Sequence, residues 1–425
     1  MRKRLGNAGR ETFGSLKFRN FRLFFSGQLI SQVGNWMTMV ALTLLVLHLT
    51  DSGIAIGVLA ACQFAPVLLI GPWAGLIADR SDKRKLLLIV QTCAMAQSFA
   101  LAALASMHSP PLAAIYGVAL CGGVFTAFDN PARRSFVVEM VPETHVQNAV
   151  SLNSAMMTGS RIFGPALAGL LVSTVGFKWC FLGDALSYIA VLVGLYLMDT
   201  KALRPPPVAV RARGQVRAGL RYMRDVPELR ISLIMMALIG TLAFNFSIVF
   251  PLFVKRTLHG SDADFTLLFS SMSIGSLLGA LWTARRTTVE LRHVILSSTA
   301  FGVVLLVLAS VPTLMFAFPV AVLLGASSIT FMTSSTTLLQ LRADPSMRGR
   351  VLALQAMVFL GSTPVGGPVL GAVCDRFGAR AGLVVGGAAC LAAAAWGLSR
   401  ARRAGTMRFA VDQAVVTTGA DLQPA

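Results

Sequence analysis

Long apolar stretches recur along the whole chain and are separated by short polar segments. A helix needs about 20 mostly apolar residues to cross the hydrocarbon core of a bilayer. Because no water in that core can satisfy backbone amides, a spanning segment must be a helix or part of a closed barrel. Barrel strands would alternate apolar and polar residues, and runs such as 303–308 do not. The pattern therefore predicts an all-α polytopic membrane protein with twelve transmembrane helices, at 22–47, 53–78, 84–106, 111–138, 146–174, 177–198, 231–257, 263–284, 291–311, 314–341, 350–374 and 380–400.

The second half of the chain repeats landmarks of the first half. Pro142 and Pro345 are 203 residues apart, and so are the Gly-Pro pairs that begin at Gly164 and Gly367. Such a duplication is typical of carriers whose two halves rock against each other around a central site. We therefore predict two six-helix bundles, at 22–199 and 231–400.

Three segments lie outside the predicted bundles. Residues 1–21 are predicted to be a cytoplasmic N-terminal segment, and residues 401–425 a disordered cytoplasmic tail, because the tail has no sustained apolar run. Residues 200–230 are predicted to be a cytoplasmic linker, in which Pro205 to Pro207 precede basic residues at helical spacing. This spacing favours an amphipathic helix on the anionic inner leaflet. A solvated connector remains the alternative.

Composition and charge place the chain in a membrane. It is 55% hydrophobic and 13% charged, with a mean hydropathy of +0.70, whereas soluble domains carry about 25% charged residues. The net charge of +19 would suggest nucleic-acid binding in a soluble protein. Here the basic residues, Arg133 among them, gather in the loops of one side and in both tails, which the positive-inside rule assigns to the cytoplasm. We therefore predict a multi-pass plasma (inner) membrane protein with both termini in the cytoplasm and no nucleic-acid partner.

The chain lacks the common signatures of enzymes and of cofactor sites. It has no G-x-x-x-x-G-K-[ST] nucleotide loop, no H-E-x-x-H and no G-x-S-x-G. Its six cysteines have no C-x-x-C spacing, and its five histidines do not cluster with carboxylates. We therefore expect no cofactor, no metal and no enzymatic activity. Any energy for transport must then come from an ion gradient or a substrate gradient.

The loop after the second predicted span carries a dense set of charged residues. From Gly75 to Lys85 it reads Gly-Leu-Ile-Ala-Asp-Arg-Ser-Asp-Lys-Arg-Lys, which resembles the signature G-x-x-x-D-R-x-G-R-[RK]-x of the major facilitator superfamily. The resemblance implies a cytoplasmic gate in which the acid binds the start of helix eleven, near Gly349. A small residue permits close helix contact, and an acid favours a helix N-terminus. The candidate gate residues are Gly75, Asp79, Arg80, Lys83 and Arg84.

One position departs from that signature, because Asp82 stands where the signature has its turn glycine. Aspartate tolerates the left-handed conformation better than most residues, so we expect the turn to survive. In the second half, the residues that follow Gly279 repeat the loop without its acid. Only the first half is therefore expected to carry this latch.

Shorter motifs extend the resemblance over about residues 15–400. They are similar to the branch of the superfamily that includes the enterobactin exporter, and they lie at 18–22, 128–134, 219–224 and 348–351. The resemblance implies the twelve-helix major facilitator fold, with helices one, four, seven and ten around a central cavity. Glycine-proline elements in helices five and eleven favour close contact and bending of the helix. These residues are Gly164, Pro165, Gly367 and Pro368.

Charged residues at membrane depth are the candidates for proton coupling, because an ionisable side chain there costs about 2.5–3.5 kcal/mol on insertion scales. They are Asp129 in helix four, Arg161 in helix five and Asp184 in helix six. An acid whose distance to Arg161 changes between states would take up a proton on one side and release it on the other. We rank Asp129 first, with a static pair to Arg161 as the alternative. For Asp184, near the outer face, a rim or interhelical contact is favoured.

Polar side chains form stripes on three of the helices expected around the cavity. Amides at helical spacing mark helix one, an amide marks helix seven, and hydroxyls mark helix ten. The candidate substrate-binding residues are Gln28, Gln32, Asn35, Asn245, Thr333 and Thr337. Because threonine can also bond to its own helix backbone, packing is an equal alternative for the two threonines.

Together these features predict a secondary active transporter that works by alternating access. We expect a proton-coupled exporter of a small amphipathic molecule, such as a siderophore, a drug or a metabolite. The expected partners are the small-molecule substrate, protons and the lipid bilayer, and the expected state is a monomer. Two alternatives stay open: a facilitated importer or uniporter, and a membrane sensor or scaffold that binds a ligand without moving it.

Overall fold

The structure, a computed structural model, describes residues 13–204, 215–285 and 288–404. Within these ranges the chain is helical, with no strand. Twelve helices there are long and apolar enough to cross a membrane, which confirms the predicted all-α polytopic fold. In chain order they are α1 Arg19–Thr50, α2 Gly53–Arg80, α3 Lys83–Leu104, α4 Leu112–Glu139, α5 Val146–Thr174, α6 Phe177–Tyr196, α7 Pro227–Thr257, α8 Asp262–Ala284, α9 Leu291–Ser310, α10 Leu314–Arg342, α11 Arg348–Phe377 and α12 Ala379–Arg403. Most of the predicted N-terminal segment, the linker prolines and nearly all of the predicted tail lie outside the described residues.

Polar side chains cap the first turn of several helices. Ser52 accepts a hydrogen bond from the Ala55 N–H (3.3 Å) at the start of α2, and Asp82 accepts one from the Lys85 N–H (3.1 Å) at the start of α3. Such caps satisfy backbone donors that have no partner within the helix. Asp82 is extended, with φ −62°, so the chain turns here without the left-handed conformation on which our expectation for this position was based. The loop changes direction at a helix cap instead.

The seventh span differs from the continuous helix predicted at 231–257. It consists of a helix at Pro227–Leu242, a break, a short helix at Phe246–Leu252 and a π-helical turn at Phe253–Thr257. At the break, the Asn245 side-chain amide donates to the Thr241 carbonyl oxygen (2.8 Å), a bond that a backbone amide makes in a regular helix. Gly366 of α11 packs directly against the same carbonyl. The break therefore lies where the backbones of α7 and α11 touch.

The helices form the two six-helix bundles of the predicted fold. In the first bundle, α1 packs against α5 and α6, and α4 packs against α2 and α3; in the second, α8 packs against α10, α9 against α12 and α7 against α11. The bundles meet along α2 and α11 and along α5 and α8. Because the number of spans is even, α1 begins and α12 ends on the same face. We call this the terminal face and the opposite one the distal face.

The two bundles touch at the distal face and separate toward the terminal face. A Cβ placed on Gly57, in the distal half of α2, would lie 2.6 Å from the Gly367 carbonyl oxygen of α11, so these backbones are in contact. Near the terminal face, a Cβ added to Gly75 of α2 or to Gly349 of α11 would meet nothing within 4 Å, and the same holds for Gly159 at the middle of α5. The structure is therefore closed at the distal face and open at the terminal face.

A short helix at Gln215–Asp225, the linker helix, lies on the terminal face. Its Met223 is buried among residues of α10 and α11. The Tyr222 hydroxyl accepts a hydrogen bond from the Asp344 N–H (3.0 Å) in the loop between these two helices. The apolar side of the linker helix thus packs against the second bundle, an arrangement that neither of our two expectations for the linker included.

Candidate functional site

A cavity of about 260 Å³ is formed by the first bundle, and all of its lining residues come from α1 to α6. Eight of its lining residues carry amide or charged side chains: Gln32, Asn35, Gln63, Gln91, Gln97, Asp129, Asn130 and Arg133. Trp36, Phe64 and Phe125 add aromatic surface. The cavity thus combines hydrogen-bonding groups with apolar walls, as a site for a small amphipathic molecule requires.

Asp129 has a partner on each carboxylate oxygen. The Gln91 side-chain amide donates to Oδ1 (2.7 Å), and the Arg133 Nε lies 3.1 Å from Oδ2. Arg133 follows Asp129 by one turn of α4, and residues four apart lie on the same helix face. The Arg133 guanidinium also donates to the Asn130 side-chain oxygen (3.0 Å). Loss of the Asp129 charge would therefore leave a buried arginine without its counter-charge, which is costly at this depth.

The partner of Asp129 is Arg133 and not Arg161, contrary to our expectation. The Arg161 guanidinium lies over the Trp36 ring, 5.0 Å from its centroid, in a cation–π contact. Sequence reasoning overlooked Arg133 because it grouped this residue with the cations of the cytoplasmic loops, whereas it lies within α4 and is buried. Its spacing of four from Asp129 was the signal that could have identified the pair.

Asp184 is almost fully buried, with 1% of its surface exposed. Its Oδ2 accepts hydrogen bonds from the hydroxyls of Thr38 on α1 (2.9 Å) and Ser98 on α3 (2.7 Å). Its Oδ1 has no hydrogen-bond partner among the described residues. Asp184 thus lies at an interhelical contact and not at a rim. Because Thr38 also lines the cavity, Asp184 lies one side chain behind the cavity wall.

The polar stripe of α1 is divided between the core and the cavity. Gln32 and Asn35 line the cavity. Gln28 is fully buried, and its side-chain oxygen accepts a hydrogen bond from the Gln32 Nε2 (3.2 Å). Gln28 therefore positions Gln32 and is not itself among the lining residues.

The other three candidate binding residues do not line this cavity. Asn245 is buried at the break in α7, and Thr333 and Thr337 are half-buried on α10. In this state the six candidates do not form the single surface that we expected. Three lining glutamines were missed, because the search for polar stripes covered only helices that the superfamily resemblance placed around the cavity: Gln63, Gln91 and Gln97.

The predicted gate residues lie at the terminal end of α2 and the start of α3. Arg80 is exposed and Asp79 is half-buried. Lys83 is buried and pairs with Glu139 of α4 (2.6 Å). Arg84 donates to two backbone carbonyl oxygens at the C-terminal end of α6 (2.7 and 3.1 Å). In this state the last two cations thus hold α3 to α4 and α6, all within the first bundle.

The glycines of the two Gly-Pro elements make close helix contacts. Gly164 of α5 packs directly against α1, and Gly367 of α11 packs against Gly57 of α2, with no free space for a Cβ at Gly164. Pro165 and Pro368 lie within helices that continue through them. These contacts support a packing role for the elements, and helix bending stays a prediction.

Comparisons with known proteins agree with this architecture. A family model described as transmembrane secretion effector matches residues 10–410. The staphyloferrin A transporter of Staphylococcus aureus is 27% identical over 361 residues, which cover 84% of this chain and 90% of the relative. The enterobactin exporter of Citrobacter koseri is 24% identical over 365 residues, which cover 83% of this chain and 84% of the relative. Among solved structures, the chain is similar to a bacterial homologue of the human lysosomal transporter Spinster in an inward-facing and occupied conformation. The TM-score is 0.72 at 15% identity, and the match covers 92% of this chain and 97% of the solved chain.

Proposed function

The chain belongs to the transmembrane secretion effector family of the major facilitator superfamily, as its motifs predicted, and we propose that it is a proton-coupled exporter of a small amphipathic molecule. Relatives named as a staphyloferrin A transporter and an enterobactin exporter support a siderophore as cargo, and the proposal extends to a drug or a metabolite of similar chemistry. We place the protein in the plasma membrane as a monomer without enzymatic activity.

The orientation follows from the distribution of basic residues. The excess of lysine and arginine in the loops of the terminal face supports a cytoplasmic position for that face. In this orientation the molecule is open to the cytoplasm and closed to the outside. That is the state in which an exporter loads its cargo.

The position of Asp129 is the observation that carries the proposal. Of the described residues that line the cavity, Asp129 alone is acidic. Its carboxylate is held by Gln91 and Arg133, with the distances given above. A proton on this carboxylate would remove both its charge and part of its capacity to accept hydrogen bonds. A proton and a hydrogen-bond donor of the cargo would therefore compete for the same group.

This competition would couple the two fluxes. With the cavity open to the outside, a proton would bind Asp129 and displace the cargo; with the cavity open to the cytoplasm, the proton would leave and new cargo would bind. One elementary charge moving through 100 mV supplies about 2.3 kcal/mol. At about 1.4 kcal/mol per tenfold, one proton per cycle would sustain more than a tenfold gradient of a neutral cargo.

The lining residues favour a cargo with a polar and an apolar part. The amides of Gln32, Gln63 and Gln97 can each donate and accept hydrogen bonds, so they suit hydroxyl and carbonyl groups. Trp36 and Phe125 offer flat apolar surfaces beside them. Siderophores and many drugs combine such groups.

Uptake into everted membrane vesicles tests the proposal. The cytoplasmic face of such vesicles points outward, so an acid interior should drive accumulation of labelled cargo. The probes are enterobactin, staphyloferrin A and the amphipathic dye ethidium. We expect Asp129→Asn to reduce pH-driven accumulation of a transported probe at least tenfold, or about 1.4 kcal/mol. The matched control is Asp225→Asn, which removes an exposed acid at the end of the linker helix and should leave accumulation unchanged.

Each other outcome points to a different mechanism. Equal flux under either sign of the pH gradient would indicate a uniporter. Saturable binding without accumulation would indicate a sensor or scaffold. Undiminished pH-driven accumulation in Asp129→Asn would exclude this residue as the proton carrier and transfer the role to Asp184, which Asp184→Asn tests in the same vesicles.

A further inference from the structure

The gate motif of α2 has a second copy at the opposite face of the molecule. Residues 71–84 read GPWAGLIADRSDKR and residues 367–380 read GPVLGAVCDRFGAR, so both fit the pattern G-P-x-x-G-x-x-x-D-R-x-x-x-R. The first copy includes the terminal end of α2, and the second includes the distal end of α11. Alignment of the two halves at a spacing of 203 residues compares α2 with α8, and for that reason it does not reveal this copy.

In the second copy, Asp375 binds the N-terminus of α2. The Gly53 N–H donates to Oδ1 (2.8 Å), the Ile54 N–H to Oδ2 (3.0 Å) and the Ser52 hydroxyl to Oδ2 (2.9 Å). The first-turn amides of a helix have no partner within it, and the helix dipole favours a negative charge there. Because α2 belongs to the first bundle and α11 to the second, Asp375 joins the two bundles.

Arg256, at the distal end of α7, extends this contact. Its Nη1 donates to Asp375 Oδ1 (2.9 Å) and its Nε to Asp51 Oδ1 (3.4 Å), while Nη2 donates to the Asp51 carbonyl oxygen. Asp51 lies in the turn between α1 and α2, so one guanidinium holds carboxylates of both bundles. Charge-assisted hydrogen bonds of this kind are stronger than neutral ones.

Glycines bring the two backbones together beside the carboxylate. They repeat every four residues, which permits close approach of helices in a membrane; the pairs are Gly53 and Gly57 on α2 and Gly367 and Gly371 on α11. A Cβ on Gly53 would lie 2.7 Å from the Gly371 carbonyl oxygen. At the terminal end of α2, the equivalent pair Gly71 and Gly75 would meet nothing within 4 Å.

The last arginine of the pattern, Arg84 in the first copy and Arg380 in the second, makes the same kind of contact in both copies. Arg84 donates to carbonyl oxygens at the C-terminal end of α6. Arg380 donates to the Val311 carbonyl oxygen (3.1 Å) at the C-terminal end of α9. Each arginine thus binds the negative end of a helix in its own bundle. The match between the two copies therefore extends from sequence to contacts.

We propose that residues 367–380, with Arg256 and Asp51, form a distal latch that is an inverted copy of the gate motif. Asp375 holds the N-terminus of α2 while the cavity is open to the terminal face, and it releases α2 when the distal face opens. The distal latch concerns the conformational cycle of the fold. It holds whichever ion drives the cycle and whichever cargo is moved.

Distances between the bundles test the distal latch in the full chain in lipid nanodiscs. Spin-labelled amino acids at exposed positions report on each face: Ser109 with Ser310 at the distal face and Thr144 with Ser346 at the terminal face. Asp375→Ala is expected to raise the ratio of distal-open to distal-closed molecules at least tenfold, or about 1.4 kcal/mol. Arg256→Gln leaves the Asp375 cap in place and removes its bridge to Asp51, so it should shift the same ratio in the same direction by less.

The matched control is Asp264→Ala. Asp264 also binds the N-terminus of a helix at the distal face, through Ser261 at the start of α8, but both residues belong to the second bundle. Its loss should leave the distal distances unchanged. If Asp375→Ala and Arg256→Gln both fold and keep the wild-type distance between Ser109 and Ser310, the distal latch is wrong. Should Asp375→Ala fail to fold, Arg256→Gln decides alone.

Discussion

The two ends of α2 meet α11 in different ways although they carry related residues. At the distal end, Gly53 and Gly57 lie against the α11 backbone and Asp375 caps the first turn. At the terminal end, a Cβ added to Gly71 or Gly75 would meet nothing within 4 Å. Since the same motif begins with the free glycines of α2 and with the engaged glycines of α11, we attribute the different contacts of these glycines to the conformational state.

This comparison indicates how a transporter of this fold can balance its two closed states. A carboxylate at a helix N-terminus is worth roughly 0.3–2 kcal/mol, and the same group is available at both ends of the α2–α11 interface. The distal latch has the additional bridge through Arg256. A difference of a few kcal/mol is enough to reverse the populations of two states. Small changes at either end are therefore expected to redistribute the two states.

Gly57→Leu and Gly75→Leu, at the two ends of α2, should shift the balance between distal-closed and terminal-closed molecules in opposite directions. These variants should have the largest effects. Gly57→Leu would place a side chain on the Gly367 carbonyl oxygen and prevent closure of the distal face. A Cβ on Gly75 meets nothing within 4 Å in this state, so we expect Gly75→Leu to fit here and to prevent closure of the terminal face. Overpacking costs about 1–3 kcal/mol, so each ratio of closed to open molecules should fall by a factor of about 5 to 140. The Ser109–Ser310 distance should lengthen in Gly57→Leu and stay short in Gly75→Leu.

Export should fall in both leucine variants, because each holds the protein in one state. Gly117→Leu is the control, since Gly117 lies on α4, is exposed and also has nothing within 4 Å of an added Cβ. It should change neither distance. A shift of the same sign in Gly57→Leu and Gly75→Leu would contradict the opposition of the two ends.

Asp79→Ala and Asp375→Ala should change the fraction of distal-open molecules in opposite directions. The effect of Asp79→Ala should be smaller than that of the leucine variants. The superfamily resemblance implies that Asp79 binds α11 when the terminal face is closed, so its loss should lower the fraction of distal-open molecules by up to about tenfold. Distant substitutions usually add in free energy. The double variant should therefore return the Ser109–Ser310 distance distribution close to that of the wild type. A double variant that behaves like either single variant would show that the two carboxylates do not oppose each other.

Most of the fold was predictable because bilayer thickness sets the length of an apolar run, and the twelve spans are confirmed. The break in α7 was not predictable from local sequence, and it lies against Gly366 of a helix more than a hundred residues away. The inverted copy of the gate motif was missed for a related reason. A repeat search in parallel register cannot find residues that correspond across opposite faces.

The candidate site was predictable only where one helix determines the geometry. Gln32 and Asn35 both line the cavity, because the periodicity of α1 places them on one face. Asp129 of α4 lines it too, but the cavity lies within the first bundle and not between helices one, four, seven and ten, where we expected it. The partner of Asp129 was wrong, since the choice between Arg133 and Arg161 depends on which helices adjoin α4. Asp184 shows the same limit, because the hydroxyls that bind it come from α1 and α3.

Asp82 in the gate motif and Gly378 in its distal copy occupy the same turn position. Of all the variants, Asp82→Gly at the terminal face should change the ratio of open to closed molecules least. Gly378 has φ +84° and ψ 161°, a conformation that costs about 1–3 kcal/mol for other residues, so Gly378→Asp should lower the unfolding temperature and loosen the distal face. Asp82 needs no such conformation, because it is extended and caps α3. Replacing a capping aspartate by glycine costs only a few tenths of a kcal/mol. Asp82→Gly should therefore change the Thr144–Ser346 distance ratio by less than about twofold, and a shift as large as that of Asp79→Ala would place Asp82 within the gate itself.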